Sequence, residues 1–518
     1  MPAVHTRVFA NTYRDSVELM QIAAEIEAVD GIDRAGLVMA TPANRDVLGA
    51  AGLLSDAASA AGPNDLVVAL AADDDEVAIG ALEIAGTRLA GAADEGVGET
   101  TKTVARTVAE AVGELGSPNL ALISTPGAYA SAEALKALKR GLHVFMFSDN
   151  VPIEDEIMLK SVARSKGLLM MGPDCGTAIL DGVPLGFANV VRRGTIGLVG
   201  ASGTGLQQVS CLIDRFGAGI SQAIGVGGRD LDERVGGAMM LAALEWLAAD
   251  PGTDVIVLIS KPPAASVEAR VLAAAGSVAK PVIVNFLGGA ATTVTEAGAI
   301  PASTFEAAAL MASAIAQGRS IPADPGLAGD PADDEAGAPI DAAANDHVRA
   351  AQEALEPGQT RIRGLYSGGS LAGEAKLIVK AMLGKETASV HEIIDLGDDE
   401  YTVGRPHPMI DPRLRNEYIG VVADEPSTAV ILLDVVLGHG SSPDPAGALV
   451  TAIEAARSGR GIAVVASVCG TAADPQDLSA QEATLARAGV ILATSNARAA
   501  RIATAIVAPA AIAAGSQP

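Results

Sequence analysis

The sequence predicts a multidomain α/β chain built mainly on parallel sheets, with a small α+β domain in front. Three observations carry that reading. From Asn119 onward short apolar runs alternate with helical patterns, as in "NLALIST", "SAEALKALKRG", "HVFMFSD" and "EDEIMLKSVARSKG", and such alternation implies parallel strands joined by helical crossovers. Two later stretches repeat one order of elements. At 518 residues there is room for about three or four domains of ordinary size.

The elements follow in order. Residues 1–116 read as a small ferredoxin-like domain plus a connecting helix over 94–115, from strand-like "TRVFANTY", "AGLVMAT" and "DLVVALAA" and helical "RDSVELMQIAAEIEAV" and "DDEVAIGALEIAGTRLA". Residues 117–193 read as a Rossmann-like domain. Its strand ends carry Ser124-Thr125-Pro126-Gly127, Ser148-Asp149-Asn150 and Gly172-Pro173-Asp174-Cys175, where parallel sheets take their ligands. Residues 194–317 hold strands at 195–200, 255–260 and 281–287. Residues 318–360 open on an Ala, Pro, Gly and Asp-rich stretch and read as a solvated linker. Residues 361–518 form the last domain.

Composition bounds the function. Sixty-two acidic against 36 basic residues give a net charge of −26, with no basic stripe, so nucleic acid and anionic membrane are excluded as expected partners. The start "MPAVHTRVFANTYRD" lacks the apolar core of a signal peptide, and runs such as "VIVLI" are too short to span a bilayer. Cys175, Cys211 and Cys469 are odd in number and widely spread. They predict a reduced, cytoplasmic chain with neither a disulfide framework nor a zinc site.

The last two domains read as copies. Ser202-Gly203-x-x-Leu206 recurs as Ser367-Gly368-x-x-Leu371, Asp230-Leu231 as Asp395-Leu396, "DVIVLIS" as "AVILLDVVLG", and "PVIVNFLGG" as "IAVVASVCGT". Each copy places a turn of small residues between strand and helix: Ser202, Gly203, Thr204 and Gly205 in one, Ser367, Gly368, Gly369 and Ser370 in the other. Glycine admits an oxyanion to the backbone, hydroxyls add donors, and the helix dipole favours negative charge. A capped strand–helix turn is the plain alternative. Neither turn matches a G-x-x-x-x-G-K-[ST] phosphate loop. Lys261, at a strand end in "ISKPP", is either a cleft cation or a surface lysine.

The order "GPDCGTAIL", "VGASGTGLQQ", "IGVGGRDLDERVGG", "DVIVLISKPP" and "KPVIVNFLGG" resembles the alpha subunit of succinyl-CoA synthetase. With "IIDLGDDEYTVGRPHPMIDP" and "DVVLG" added, the chain resembles the FdrA family of acyl-CoA-synthetase-like proteins from residue 5 to about 507. That resemblance implies a Rossmann-like CoA-binding-type domain followed by two flavodoxin-like, succinyl-CoA-synthetase-like domains. It also implies a cytoplasmic subunit of an oxamate carbamoyltransferase, interconverting oxalurate plus phosphate with oxamate plus carbamoyl phosphate in allantoin and purine catabolism, within an oligomer of several proteins. The ligase's phosphate-carrying histidine is missing, since no histidine stands between 144 and 346.

In that reading Ser202–Gly205 and Lys261 hold phosphate, and Ser367–Ser370 hold the second anionic end of a small substrate. Arg405 and His407, spaced by Pro406 and Pro408, supply a forked anion donor and an imidazole for proton movement. Arg405 paired with Asp398 or Asp411, and His407 packed between prolines, are the plain alternatives. Ser124, Pro126, Asp149 and Asn150 match the ligase family's coenzyme A contacts, which leaves CoA open as a cofactor. Asp395, Asp398, Asp399 and Glu400 suit Mg²⁺ chemically, but a solvated turn is the preferred reading. His439, in "LGHGSSPDP", and the cysteines rank below these. Two rivals stand: an acyl-CoA synthetase subunit dependent on an ATP-grasp partner, and a non-catalytic regulatory subunit.

Overall fold

A computed structural model describes residues 3–14, 16–27, 29–91, 105–328, 344–402 and 406–515. The chain divides into two units, Met1–Gly116 with Asp398–Asp411, and Ser117–Gly397 with Pro412–Pro518.

In the first unit β1 (Ala3–Phe9), β2 (Ile32–Met39) and β3 (Leu66–Ala72) form an antiparallel sheet of order β1-β3-β2. Helices α1 (Ser16–Glu27) and α4 (Asp75–Gly91) flank it, and α2 (Pro42–Ala50) and α3 (Asp56–Ala60) lie between β2 and β3 in sequence. The run "LVVALAA" of β3 is buried at every position. Its alternate residues feed two cores. Leu66, Val68, Leu70 and Ala72 pack with Leu19, Ile22, Ala85 and Leu89, while Val67, Ala69 and Ala71 pack with Leu48, Leu53 and Ala58. A ferredoxin-like sheet keeps one face open. Here the α2–α3 segment closes it, which is why β3 reads as a continuous rather than an alternating apolar run. The connecting helix is described as α5 (Val108–Leu115); the rest of its expected span to residue 104 lies outside the described residues.

The second unit opens with a parallel sheet of β4 (Leu120–Ile123), β5 (His143–Met146) and β6 (Met170–Met171), crossed by α6 (Gly127–Lys139) and α7 (Ile153–Ser165). A hairpin follows, β7 (Thr177–Leu180) and β8 (Val183–Gly186), and it joins the next sheet by antiparallel pairing of β7 with β10.

That next module runs β9 (Arg193–Gly200), α8 (Gly203–Arg215), β10 (Ile220–Gly225), α9 (Ala238–Ala249), β11 (Val255–Ser260), α10 (Ala265–Ser277), β12 (Val282–Phe286), α11 (Ala291–Glu296), β13 (Ile300–Pro301) and α12 (Phe305–Ala316). Then comes α13 (Ala344–Ala354), which forms within the stretch expected to be linker and is tied to the last helix by Gln352 Nε2 donating to Ala505 O at 2.9 Å.

The final module runs β14 (Arg361–Tyr366), α14 (Gly369–Leu383), α15 (Lys385–Ala388) and β15 (Glu392–Asp395). After α16 (Asp399–Thr402), which belongs to the first unit, it resumes with α17 (Arg413–Asp424), β16 (Thr428–Val436), α18 (Gly447–Arg457), β17 (Ala463–Cys469), α19 (Leu478–Arg487), β18 (Ile491–Ala493) and α20 (Asn496–Gly515).

The two modules are topological copies. One sheet reads β13-β12-β11-β9-β10 before the hairpin is added, the other β18-β17-β16-β14-β15, the order of flavodoxin-like folds. Their central strands are buried on both faces, "VIVLIS" in β11 and "TAVILLDVV" in β16. Strand pairing also corrects two equivalences expected from sequence. Gly200 pairs with Gly225 in one sheet and Tyr366 with Asp395 in the other, so Asp395 answers to Gly225 and not to Asp230. Likewise α8 starts three residues after Gly200 and α14 three after Tyr366, so Ser202 answers to Gly368 and Thr204 to Ser370. Among the described residues no helix is long and apolar enough to cross a membrane.

Candidate active site

The turn into α8 is shaped by its own cap. Ser202, in extended conformation, accepts from Gly205 N at 3.0 Å, and a side chain at 205 would collide with that hydroxyl. The N–H groups of Gly203 and Thr204 have no intrahelical acceptor, as at any helix start. The Ser202 hydroxyl also donates to Ser370 Oγ at 2.6 Å, and Ser370 lies in the first turn of α14. The two helix starts therefore touch. Gly368 is closed in by the same contact, because a Cβ there would stand 2.9 Å from Thr204 Cγ2 and 3.0 Å from Asp434 Oδ2.

The turn into α14 is built differently. Asp434, buried near the C-terminal end of β16, accepts from Ser367 N and Gly368 N at 2.8 Å each and from Ser367 Oγ at 3.0 Å. Arg415 of α17 holds the same carboxylate, Nη1 to Oδ1 at 3.0 Å, and bonds the Asp434 carbonyl at 2.6 Å. Both side chains are buried, and burial pulls the Arg415 pKa down while Asp434 holds it up. Two backbone donors expected to grip a substrate anion are thus committed to the protein's own carboxylate. This corrects the expectation that Ser367–Ser370 hold the second anionic end: Ser367 and Gly368 face inward.

Two charged groups meet over Gly369. A Cβ at that position would collide with Asp395 Oδ2 and would lie 3.4 Å from Lys261 Nζ. Asp395 Oδ1 accepts from Gly397 N at 3.0 Å. Lys261, exposed at the end of β11, reaches from its own module to the helix start of the other.

A polar seam locks the modules around this point. Glu374 accepts from Phe305 N at 2.7 Å and from Asn496 Nδ2 at 2.7 Å, so one α14 carboxyl joins the starts of α12 and α20. Burial pushes its pKa up to about 7, against those bonds. Arg498 pairs with Glu306 at 2.8 Å, both buried. Asn189 Nδ2 donates to Asp474 Oδ2 at 2.8 Å, and Val190 N to Asp474 Oδ1 at 2.8 Å. Cys211 and Cys469 are free and buried, and burial, with Cys469 as a neighbour, pushes the Cys211 thiol well up. Cys175, also buried, is pushed up to about 12 by desolvation. None is placed as a nucleophile.

The structure thus brings together Ser202, Gly203, Thr204, Gly205, Lys261, Gly369 and Ser370. Arg405 lies outside the described residues. His407 belongs to the first unit, where its Nδ1 accepts from Met409 N at 3.2 Å. Pro126 precedes the start of α6, and a Cβ on the adjoining Gly127 would collide with the Asp149 carbonyl oxygen and lie 2.7 Å from that of Asn150. His439 has an exposed side chain, and its backbone N–H donates to Ala188 O at 2.9 Å. Sequence reasoning missed Asp434 and Arg415. The available signal was a lone aspartate inside the apolar run "AVILLDVV", because a charge in a doubly covered strand needs a partner.

Three family models match the chain: AllF, heavy metal-associated domain, over residues 1–105; CoA binding domain over 191–288; and CoA-ligase over 365–506. The second covers the Ser202 turn and Lys261, and the third covers the Gly369 turn and Asp434. Escherichia coli (strain K12) YahF, described as an uncharacterized protein, is 40% identical over 511 residues, 94% of this chain and 95% of YahF. The alpha subunit of the ADP-forming succinate–CoA ligase of Aquifex aeolicus is 30% identical over 164 residues, 30% of this chain. The match spans about half of that relative, 52% of its length. The apo dinucleotide-forming acetyl-coenzyme A synthetase 1 of Ca. Korarchaeum cryptofilum matches at 16% identity, covering 77% of this chain and 86% of that one, with a TM-score of 0.33, too low to transfer positions.

The heavy-metal description does not fit the residues. Soft metals favour thiolates, yet residues 1–105 contain no cysteine and one histidine, His5, whose Nε2 stands 3.3 Å from Asp75 Oδ1. Among the described residues no group of three His, Cys, Asp or Glu could hold a metal. A phosphate-bearing group such as CoA does fit the free amides of the Ser202 turn beside Lys261.

Proposed function

This chain belongs to the acyl-CoA-synthetase-like family that includes YahF, and from that premise we propose that it is a subunit of a carbamoyl-transferring enzyme of the oxamate carbamoyltransferase type, binding the phosphoryl end of carbamoyl phosphate at the start of α8. The observation that carries the reading is the contact of two helix starts through Ser202 and Ser370, with Lys261 beside them.

The chemistry asks little more of this chain. In the direction of oxalurate cleavage a phosphate oxygen adds to the ureido carbonyl carbon. The C–N bond to oxamate then breaks, and the leaving nitrogen takes a proton. Gly203 N, Thr204 N and Lys261 Nζ hold the phosphate where that attack begins, and fixed donors of this kind need no reorganisation as charge moves. The Ser202 and Ser370 hydroxyls can turn toward a bound oxyanion. No phosphohistidine is required, in keeping with the absence of histidine from 144 to 346. Arg405 and His407 are not used in this scheme, which draws on the second unit alone.

A second reading is favoured by the CoA-binding and CoA-ligase matches: an acyl-CoA ligase subunit acting with an ATP-grasp partner. There Ser202–Gly205 and Lys261 would hold a phosphate of CoA or of an acyl phosphate.

One experiment separates the two. The chain is co-purified with the products of neighbouring genes and assayed in parallel for phosphate-dependent oxalurate cleavage and for ATP- and CoA-dependent thioester formation. Carbamoyl phosphate release that falls at least about tenfold in Lys261→Met supports the transferase, that loss being about one charge-assisted contact. Thioester formation alone would refute it.

A further inference from the structure

Oxalurate cleavage leaves a nitrogen that must be protonated as its C–N bond breaks. The second unit holds four histidines, His143, His347, His391 and His439. His143 opens β5 and His391 precedes β15, and each accepts a backbone N–H on Nδ1 at 3.0 Å, from Leu169 and Ile362 respectively. His347 stands on α13. Only His439 follows the carboxyl end of a parallel strand, β16, the edge at which such sheets take their ligands.

The backbone around His439 is fixed on three sides. Buried Gln476 accepts from Gly438 N at 3.0 Å and donates to Gly438 O at 2.8 Å. His439 N donates to Ala188 O at 2.9 Å, and a Cβ on Gly440 would lie 2.8 Å from Phe187 Cδ1. The imidazole itself is exposed and bonds to no group among the described residues. Residues 187–189 also lead to the start of α8. Phe187 O accepts from Thr177 Oγ1 at 2.7 Å, and that hydroxyl would lie 3.3 Å from a Cβ on Gly203. Asn189 accepts from Gln207 Nε2 of α8 at 3.1 Å and donates to Leu437 O at 3.0 Å. The end of β16 that carries His439 is thus tied to the helix start that carries Gly203.

We infer that His439 is the residue that moves the proton in carbamoyl transfer at this site. This rests on the reaction and the placement of phosphate at α8 proposed above. A phosphate oxygen bonds the ureido carbon, the C–N bond breaks, and the imidazolium of His439 gives a proton to the departing oxamate nitrogen. Hydrogen phosphate loses its own proton as its oxygen becomes the link in carbamoyl phosphate, and that proton returns to the imidazole. The histidine ends as it began, and no further reactant is consumed. In the reverse direction the neutral imidazole takes a proton from the oxamate amide.

The complex co-purified with its neighbouring gene products tests this, with phosphonoacetamide, a phosphonate that mimics carbamoyl phosphate and does not react, as the binding probe. In His439→Gln kcat for phosphate-dependent oxalurate cleavage is expected to fall about a hundredfold or more, the usual share of a general acid. Titration calorimetry on the full chain is expected to keep phosphonoacetamide affinity within about threefold of wild type. In His439→Ala, added imidazole is expected to raise the residual rate about tenfold, which a structural role for the side chain would not allow. Cleavage within about threefold of wild type in both variants, or phosphonoacetamide affinity that falls as far as the rate, overturns the inference and leaves the phosphate placement standing. A wild-type complex that binds phosphonoacetamide without cleaving oxalurate removes the transferase reading, and the inference with it.

Discussion

Replacing Asp434 with asparagine removes one charge from the middle of a buried network, and the structure allows its cost to be worked out. The carboxylate accepts two backbone N–H groups, one hydroxyl and one guanidinium N–H. An asparagine keeps one acceptor oxygen, but its NH2 must then face either Gly368 N–H or Ser367 N–H, donor against donor. Arg415, buried beside it, loses its counter-charge. Breaking a buried pair from one side typically costs about 3–5 kcal/mol, and one lost amide acceptor adds about 1–3 kcal/mol where it cannot relax. A loss of about 4 kcal/mol or more is expected, read as the shift of the denaturant transition. The Arg415→Met change alone is expected to cost a similar amount. The double variant should recover a large part, because the uncompensated charge is then gone, and the cycle isolates a coupling of about 2 kcal/mol or more. A single Asp434→Asn loss below about 1 kcal/mol would refute the reasoning, since it would mean that the α14 start does not depend on this carboxylate.

The remaining expectations use simpler readouts. Glu374 has a folded pKa of about 7 against the ordinary 4.5, so between those values the folded state binds more protons than the unfolded. Its contribution is therefore full below pH 4.5, declines as pH rises to about 7, and is flat above. At 1.36 kcal/mol per unit the decline is about 3 kcal/mol, and Glu374→Gln should abolish it in unfolding titrations at stepped pH. Gly368→Ala drives a methyl between Thr204 and Asp434 and should cost about 1–3 kcal/mol by overpacking, with weakened phosphate binding by calorimetry. Ser202→Ala removes the α8 cap and its bond to Ser370; a stability loss of about 1 kcal/mol is expected, again checked by denaturant titration. Cys175, Cys211 and Cys469 are buried, so a thiol reagent at pH 8 should modify none of them until denaturant is added.

What the sequence revealed follows from what each pattern is physically tied to. The doubled module was legible because fully covered parallel strands must be apolar throughout, and "VIVLIS" and "AVILLDVV" announce that without any partner in view. The turns were legible because a strand passing directly into a helix needs small residues and a cap. Their register was not. "SG" occurs in both copies, yet the hydroxyl that caps α8 precedes its first glycine, while the matching position at α14 is Gly368 itself. Letter matching aligned the serines; strand pairing aligns the backbone. The partners of the turns were hidden for another reason. Asp434 and Ser367 stand 67 residues apart, and Ser202 and Ser370 stand 168 apart, distances over which no periodicity carries information.

The asymmetry of the copies follows from a single strand position. Gly200 pairs with Ile259 in β11, and the corresponding position beside Tyr366 in β16 is Asp434, one step beyond the pairing of Leu365 with Leu433. With isoleucine there, the amides at the start of α8 receive no internal anion, and an outside one can use them. With aspartate there, the dipole of α14 is answered from within, and Arg415 is buried beside it as its counter-charge. Exchange of the two residues is therefore the most direct test of why one copy should bind phosphate. Ile259→Asp alone puts a carboxylate against the α8 turn and should abolish phosphonate binding, even if stability falls for want of an arginine. Retention of wild-type phosphonate affinity in that variant, with its fold confirmed by an unchanged far-ultraviolet spectrum, would show that the α8 amides are not the anion's ligands.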